Sequence, residues 1–148
     1  PGVDGHPVKS LRDVVLIDSA QLGLAFQRPV SVSSTYQPVY AASNAVDGDP
    51  TTYWSSNFAD PAWISVDLGN TYAIALIRIN WETAYSKAFS VEVSTDGQSW
   101  TKVYETTEGK GGISEIKLSP TKARHVHVTG TQRATAWGHA IRELEVFP

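Results

Sequence analysis

The sequence predicts an all-β domain, built as an antiparallel sandwich or barrel. From Val30 onward, short segments rich in β-branched and aromatic residues are separated by turn clusters of Gly, Pro, Asn, Asp and Ser. Within these segments apolar and polar residues alternate, as in Trp63 to Leu68, which is the period of a strand with one buried face. No convincing long helix interrupts the series. These observations favour sheet over helix throughout the domain.

Eight segments are predicted as strands, and turn residues separate them. The second segment, for example, ends at the Gly69-Asn70 pair. In chain order the eight are Val30 to Ser33, Trp63 to Leu68, Ile74 to Trp81, Phe89 to Val93, Lys102 to Thr106, Gly112 to Leu118, Arg124 to Val128 and Ile141 to Phe147.

The N-terminal stretch behaves differently from the rest of the chain. The apolar residues between Val8 and Asp18 fit a strand or a short helix, and their periodicity does not decide between the two. We therefore predict that residues 1–23 are a linker or N-terminal extension and that residues 24–148 form the folded domain. The start, Pro1 to Gly5, has no features of a signal peptide, so we expect the chain to be a piece of a larger protein.

Composition argues against several function classes. The chain has 148 residues, enough for one domain with its own hydrophobic core. It has no cysteine, which excludes disulfides, thiolate zinc sites and a cysteine nucleophile. The net charge of -3 and the pI near 5.8 offer no basic surface for a phosphate backbone, and no apolar run approaches the roughly 20 residues needed to cross a bilayer. We expect neither nucleic acid nor a membrane as partner.

The segment from Asn44 to Trp54 is dense in oxygen ligands. It contains two acids, a glycine and two hydroxyl side chains directly before a tryptophan. Calcium takes several oxygen ligands, and Gly48, between Asp47 and Asp49, lets the chain wrap tightly enough to present them. The spacing differs from that of an EF-hand. Because Asp-Gly and Asp-Pro are also ordinary turn signals, a simple turn is the alternative.

Seven short motifs follow one another along residues 24–148. They are Arg28–Ser33, Ser43–Asp49, Tyr53–Ser56, Asp60–Gly69, Val93–Trp100, Ala123–Val126 and Glu143–Val146. As an ordered set, they resemble the discoidin, or coagulation factor 5/8 type C, family. Within that family the chain resembles the family 32 carbohydrate-binding modules attached to bacterial polysaccharide hydrolases.

The resemblance implies an eight-stranded jelly-roll β-sandwich whose ligand binds in loops at one end. It also implies a structural calcium ion, with side-chain ligands from Asp47 and Thr52. Asn44 and Asp49 would contribute backbone carbonyls, and Glu143 would complete the set from the far end of the sequence. A cation that ties the first loop to the last strand would stabilise the domain by an amount set by its affinity.

Four loops between the shared motifs carry the candidate sugar-binding residues. Sugar recognition needs an aromatic face for one side of the pyranose ring and polar groups for the hydroxyls. Trp137 is the strongest stacking candidate, followed by Tyr36, and a packing role is the alternative for such rings. Charged candidates have solvated loop charges as their alternative. The complete set is Tyr36, Tyr40, Phe58, Trp81, Glu82, Tyr85, Lys87, Arg133 and Trp137.

Other aromatic residues are predicted to have structural roles. Trp54, Trp63 and Trp100 lie in motifs that family members share whatever their ligand, so we predict that all three are in the core. His125 and His127 alternate with valines and are predicted on the outer face of a strand, with no function assigned.

The loop from Trp81 to Lys87 is similar to loops in modules of glucan- and chitosan-degrading hydrolases. Chitosan binders of this kind have a glutamate in the first loop, where this sequence has Tyr36, and the difference favours a neutral glucan. We expect a non-catalytic module that anchors a secreted, extracellular hydrolase to an α- or β-glucan, or to chitosan. The module is expected to be a monomer within a multidomain enzyme.

Two other functions fit the sequence less well. A glycoside hydrolase needs two carboxylates that face the scissile bond, whereas Glu82 has no second acid beside it and Asp60 belongs to a shared motif. A Gly-x-Ser-x-Gly nucleophile motif is also missing. A cell-adhesion or lipid-binding discoidin domain is the alternative. Such domains use a disulfide and apolar spikes surrounded by basic residues, but this chain has no cysteine and few basic residues in these loops.

Overall fold

A computed structural model describes residues 23–148. The predicted N-terminal extension therefore lies outside the described residues, except for Gly23. Two short 3₁₀ helices, Pro38–Tyr40 and Ala42–Val46, precede most of the sheet. No helix within residues 23–148 is long and apolar enough to cross a lipid bilayer. The strands of this region are β1 Val30–Val32, β2 Trp54–Ser55, β3 Ala62–Trp81, β4 Ser86–Ser94, β5 Thr101–Thr106, β6 Ile113–Arg133 and β7 Ala140–Phe147.

Two long antiparallel strands, β3 and β6, connect the two layers of the fold. Their register shifts between Asp67 and Tyr72, and again between Ile74 and Leu76, which divides each strand into two halves. The first half of β3 pairs with β1 and with the second half of β6, which also pairs with β4. The second half of β3 pairs with β7 and with the first half of β6. Strands β5 and β2 extend the ladder at its two ends.

The architecture confirms the predicted β-sandwich. When the halves of β3 and β6 are counted separately, they account for the predicted segments 63–68, 74–81, 112–118 and 124–128. The two halves of each strand were predicted as separate segments because Gly69 and Pro120 interrupt the pattern. Gly69 has a positive φ and Pro120 lacks an N–H donor, and both lie where the ladder is irregular. The two-residue strand β2 was not predicted.

The core follows the period-two pattern. Along β3, Ile64, Val66 and Leu68 are buried, and so are Val126 and Val128 on β6. Trp54 is also buried, with 1% of its surface exposed, as predicted. Apolar side chains from both layers therefore form one core between the sheets, which holds the end loops in place.

The prediction that Trp63 and Trp100 belong to the core is wrong. Trp63 precedes the buried Ile64, so strand alternation turns its ring to the outer face, where it stacks on His127 at a centroid distance of 5.1 Å. Trp100 is 36% exposed and lies 5.4 Å from the same imidazole. His127 and His125 are on the outer face, as predicted.

Candidate ligand cleft and metal site

One cleft of about 340 Å³ brings together residues from four loops. Its volume falls in the range of small-molecule sites, about 300 to 1,000 Å³. The loops connect β1 to β2, β2 to β3, β3 to β4 and β6 to β7, which are the four that the sequence predicted to gather at one end. The lining residues are Tyr36, Tyr40, Tyr53, Ser55, Phe58, Glu82, Ala84, Trp137 and Ala140.

Four aromatic rings form a stacked row on the cleft. Phe58 stacks on Tyr36 at 4.4 Å, Tyr36 on Tyr40 at 6.1 Å, and Tyr40 on Tyr53 at 4.9 Å between ring centroids. Stacking of this kind uses the ring faces for one another. The edges and hydroxyl groups of the two inner rings, Tyr36 and Tyr40, are what remain for a ligand.

Trp137 offers the free aromatic face. It is 56% exposed and lines the same cleft. Unlike the other cleft rings, Trp137 has no aromatic partner among the described residues. An indole held in this way can stack against one face of a sugar ring.

Arg133 holds the loop that carries Trp137. Its backbone N–H and its Nε donate to Asp60 Oδ1, at 3.1 and 3.2 Å, and its Nη1 donates to the carbonyls of Ala136 and Trp137, at 3.3 and 3.5 Å. The guanidinium is thus engaged with its own loop and with the β2–β3 loop. Although Arg133 was predicted to contact sugar, the structure gives it a positioning role and leaves it out of the cleft lining.

A buried histidine completes this clamp. His139 is 1% exposed, with Nε2 2.7 Å from Asp60 Oδ1 and Nδ1 2.6 Å from Ser86 Oγ. Burial lowers the pKa of His139, and the Asp60 carboxylate opposes the shift. A neutral imidazole therefore donates from Nε2 to Asp60 and accepts from the Ser86 hydroxyl. Because Ser86 is only 1% exposed, this Ser-His-Asp set is inaccessible to a substrate and serves the fold.

Trp81 does not belong to the cleft, contrary to the prediction. It is the last residue of β3, and alternation places it on the same side as the buried Ile79. Its ring is 4% exposed, contacts Phe89 edge-on at 5.0 Å, and donates from Nε1 to Ser114 Oγ at 3.0 Å. The ring belongs to the core and cannot present a face to a ligand.

Tyr85 and Lys87 also lie outside the cleft lining. Tyr85 is half-buried against the core, and its ring lies so close to Gly111 that a Cβ there would come within 2.9 Å of it. Lys87 is exposed on β4. Of the nine predicted residues, the cleft contains Tyr36, Tyr40, Phe58, Glu82 and Trp137.

Tyr53 is the aromatic residue of the cleft that the prediction missed, along with Ser55, Ala84 and Ala140. It precedes the buried Trp54, so alternation places it opposite the core, and this was the available signal. Burial, then the hydrogen bond with Tyr40 and the charges of Tyr40 and Glu82, raise the pKa of Tyr53 to about 12. Its hydroxyl therefore stays protonated at neutral pH. Beside it, Glu82 Oε1 accepts from the Ala84 N–H at 2.8 Å, which holds the carboxylate at the cleft.

The predicted metal ligands Asp47 and Glu143 lie side by side. The N–H of Gly48 donates to Glu143 Oε1 at 3.2 Å, whereas the buried Oε2 has no hydrogen-bond partner among the described residues. Burial and the neighbouring Asp47 carboxylate raise the pKa of Glu143 to about 9. Thr52 Oγ1 donates to Asp47 Oδ2 at 2.7 Å. Two acids with one orphaned oxygen are an arrangement that a divalent cation would neutralise.

The side chains of Asn44 and Asp49 are used elsewhere, which fits their predicted roles as carbonyl ligands. Asn44 Nδ2 donates to the carbonyls of Val39 and Tyr53. The Asp49 carboxylate accepts from the hydroxyl and the N–H of Thr51, and these bonds lower its pKa. Residues 23–148 contain no group of three or more His, Cys, Asp or Glu placed to hold a metal. A cation here would need carbonyl and hydroxyl oxygens as well, as calcium accepts, so the donor set fits calcium.

Comparisons with known proteins add a family and several relatives. The profile of the F5/8 type C domain matches residues 29–144. The polysaccharide lyase 8 family protein HylA of Enterococcus faecalis is 31% identical over 107 residues, which are 72% of this chain and 8% of HylA. A sialidase of Micromonospora viridifaciens is 28% identical over an alignment of 153 positions, which covers 90% of this chain and 22% of the sialidase. The chain therefore spans only a small part of these two relatives.

Similar solved structures include two chitosan-binding modules derived from a chitosanase/glucanase of Paenibacillus sp. IK-5. Module 1 is 38% identical with a TM-score of 0.83, and 85% of this chain and 98% of the module are covered. Module 2, in complex with chitotriose, is 40% identical with a TM-score of 0.82 and coverage of 85% and 100%. The family 32 module of Clostridium perfringens NanJ, in complex with galactose, is 24% identical over 84% of this chain and 96% of the module, with a TM-score of 0.75, and shows the shared fold.

Proposed function

The chain belongs to the F5/8 type C domain family, and we propose that it is a non-catalytic carbohydrate-binding module that anchors a secreted, extracellular polysaccharide hydrolase to a glucan. Chitosan, the glucan whose sugars carry amines, is the ligand that the cleft fits best. The parent hydrolase and its secretion are part of the proposal. The observation that carries it is the cleft in which a free indole faces solvent beside a carboxylate, Glu82.

The cleft combines the two elements that sugar binding needs. The Trp137 indole supplies a face for the C–H side of a pyranose, and the hydroxyls of Tyr36, Tyr40 and Tyr53 supply hydrogen-bond partners at the edges of the stacked rings. One stacking ring and a few hydrogen bonds give weak binding, with a Kd of about micromolar to millimolar, or about 4 to 8 kcal/mol. Repetition of the sugar along a polymer would add avidity.

Glu82 favours an amine-bearing sugar over a neutral one. A carboxylate at hydrogen-bond distance from an ammonium group forms a charge-assisted bond, which a neutral hydroxyl forms less strongly. The sequence favoured a neutral glucan because Tyr36 stands in the first loop, where chitosan binders have a glutamate. In the cleft, Glu82 provides a negative charge from a different loop. Similarity to two chitosan-binding modules over 85% of the chain supports the same ligand.

Calorimetric titration with matched trisaccharides tests the proposal. We expect chitotriose to bind, and its N-acetylated form and cellotriose, which lack the charged amine, to bind at least about tenfold more weakly. Glu82→Gln keeps the shape of the side chain and removes its charge, so it should weaken chitotriose binding and leave cellotriose unaffected. Equal binding of all three sugars would point to a neutral glucan. No binding to any of them, or to insoluble glucans, would refute the function.

We further propose that the cation site holds calcium. Asp47, Thr52 and Glu143 would contribute side-chain oxygens, and Asn44 and Asp49 would contribute backbone carbonyls. The ion would neutralise the two adjacent carboxylates and tie the β1–β2 loop to β7. The orphaned oxygen of Glu143 supports this assignment.

A lipid-binding discoidin domain is the second candidate. The exposed apolar residues Val39, Phe58 and Trp137 at the cleft end favour it. Against it stand Glu82 in the same surface and the net charge of -3, which oppose adsorption to anionic lipid. Co-sedimentation with phosphatidylserine vesicles separates the two candidates. We expect the module to remain in the supernatant.

A further inference from the structure

We propose that the side chain of Asn44 couples cation binding in the β1–β2 loop to saccharide binding in the cleft, so that each ligand tightens the binding of the other. The inference rests on the proposed sugar function and the proposed calcium site. It makes Asn44 a positioning residue with two roles. Its carbonyl would face the cation, while its amide group fixes two of the cleft rings.

The amide of Asn44 bridges the two backbone segments that carry Tyr40 and Tyr53. Its Nδ2 donates to the carbonyl of Val39 at 2.8 Å and to the carbonyl of Tyr53 at 3.1 Å. Val39 is the central residue of the first 3₁₀ helix, directly before Tyr40. The rings of Tyr40 and Tyr53 are stacked with their centroids 4.9 Å apart, and both residues line the cleft. One side chain therefore sets the distance between these two segments of the cleft wall.

The segment that ends the β1–β2 loop, from Pro50 to Tyr53, is also linked to the cleft through Tyr53. Thr52, whose hydroxyl donates to Asp47, is the residue before Tyr53. Arg142, the residue before Glu143, donates from Nη1 to the carbonyl of Pro50 at 3.0 Å. The Arg142 guanidinium also lies 5.9 Å from the centroid of the Tyr53 ring. Three proposed cation ligands are thus linked to Tyr53. Asn44 donates a hydrogen bond to its carbonyl, and Thr52 is the residue before it. Glu143 follows Arg142, whose guanidinium lies over the Tyr53 ring.

This arrangement gives both ligands the same preferred loop conformation. Without a cation, a hydrogen bond from the Gly48 N–H joins the loop that carries Asn44 to Glu143, whose buried Oε2 has no partner among the described residues, so this loop is less strongly held. A cation bound by both carboxylates would hold this loop and Asn44, which in turn fixes Tyr40 and Tyr53 for the sugar. Linkage requires the effect to be reciprocal, so both affinities must change by the same factor. We expect that factor to be about fivefold or more.

Two calorimetric titrations test the coupling. Chitotriose is titrated into the protein in calcium chloride and in chelator, and calcium is titrated with and without saturating chitotriose. In the wild type, we expect both affinities to rise by the same factor. In Asn44→Ala the backbone carbonyl remains, so calcium should still bind, but most of the coupling between the two affinities should be lost. Thr51→Ala is the matched control, because Thr51 lies in the same loop and, among residues 23–148, forms hydrogen bonds only with Asp49. It should keep the coupling.

A second variant, Asn44→Asp, tests the same hydrogen bonds in case Asn44→Ala does not fold. Asn44→Asp keeps the shape of the side chain and removes both N–H donors. Its added charge changes the calcium affinity by the same factor with and without sugar, whereas the coupling is a ratio of affinities and should again fall toward one. Circular dichroism and thermal melting confirm that each variant is folded before titration.

The outcomes separate the possible failures. If chitotriose binds equally well in calcium and in chelator, the coupling is refuted and the sugar function stands. If coupling persists in both Asn44 variants, the role of Asn44 is refuted. If chitotriose binds in neither buffer, the chitosan function fails and the inference fails with it. If calcium does not bind, the inference fails while the sugar function stands.

Discussion

Trp137 and Trp81 are both tryptophans near the cleft, but the ring of Trp137 is exposed and the ring of Trp81 is buried. Trp81 ends a strand and fills the core, whereas Trp137 follows the end of β6, where no partner strand covers it. A single exposed ring is ordinary, but Trp137 is grouped with the exposed Val39 and Phe58 at the cleft end, and such a group is typical of a contact surface. The fixed position of the Trp137 loop, bonded through Arg133 to Asp60, indicates a surface built for contact.

Replacement of Trp137 by alanine should separate binding from stability. We expect Trp137→Ala to weaken chitotriose binding at least about tenfold, because the stacking face is lost, and to change the free energy of unfolding by less than about 0.5 kcal/mol, as exposed positions do. Calorimetry and thermal melting measure the two effects. Trp100→Ala is the matched control, since Trp100 is 36% exposed on the outer sheet face and should leave binding intact. A large loss of stability in Trp137→Ala would give that ring a packing role.

Replacement of Trp81 should have the reverse effect. Trp81→Ala removes a ring that is 4% exposed together with its hydrogen bond to Ser114. The resulting cavity should cost about 3 to 5 kcal/mol, measured by urea unfolding. Any fall in chitotriose affinity should track the unfolded fraction. Unchanged stability with lost binding would instead restore Trp81 as a sugar contact.

At the scale of elements, the cleft depends on two loops that hold each other. The β2–β3 loop carries Phe58 and Asp60, and the β6–β7 loop carries Trp137 and His139. Asp60 accepts hydrogen bonds from both Arg133 and His139, so one carboxylate fixes the two loops. Gly130 lies beneath this clamp, where a Cβ would approach His139 Nδ1 within 2.3 Å. The loops are therefore ordered by buried polar contacts as well as by the sheet.

Removal of Asp60 should loosen both loops. Asp60→Ala leaves His139 Nε2 and the Arg133 guanidinium without their acceptor, which should cost about 1 to 3 kcal/mol of stability and also weaken chitotriose binding. Hydrogen exchange of residues 134–139 should accelerate. Asp96→Ala is the matched control, because Asp96 organises the turn of Gln98 and Ser99 away from the cleft. Full chitotriose affinity in Asp60→Ala would contradict the positioning role.

The sequence predicts the elements better than the site, for reasons visible in particular residues. All eight predicted segments fall on strands, and in β3, β4 and β7 the alternation of buried and more exposed residues reflects one buried face, whereas the two-residue β2 was missed. The same alternation contradicts the core placement of Trp63, which came from a shared motif. Tyr53 was missed because its role depends on stacking with Tyr40 across the β1–β2 loop, a contact that the local alternation does not indicate. Arg133 was misassigned because its partner Asp60 is 73 residues away.

At the scale of the whole molecule, the proposed cation joins distant parts of the chain. Gly48 and Glu143 are separated by 95 residues and meet through one hydrogen bond. Closing so long a loop has a large entropic cost, which a bound ion would help to offset. An ion that binds only the folded protein stabilises it by an amount that grows with its concentration relative to Kd. The two carboxylates make this part of the fold sensitive to pH as well.

The stability of the metal-free protein should fall as pH rises. The pKa of Glu143 is raised from its ordinary value of 4.5 to about 9, so between these values the folded protein holds a proton that the unfolded chain releases. Where the folded state binds more protons, the free energy of unfolding decreases with increasing pH. With calcium bound, both carboxylates are ionised against the cation, and this decrease should disappear. The difference between the melting temperature with calcium and the melting temperature without it should therefore increase with pH.

Thermal melting at pH 5.5, 7 and 8.5, in calcium chloride and in chelator, measures this gap. Glu143→Gln is the informative control, because the amide keeps the volume of the side chain and cannot titrate. Its melting temperature in chelator should not depend on pH through this site, and calcium should stabilise it less than it stabilises the wild type. Because the chain has no cysteine, no change of disulfide state with pH complicates the comparison. Coincident wild-type melting curves with and without calcium at all three pH values would exclude the cation, and the acid pair would then be a protonated structural contact.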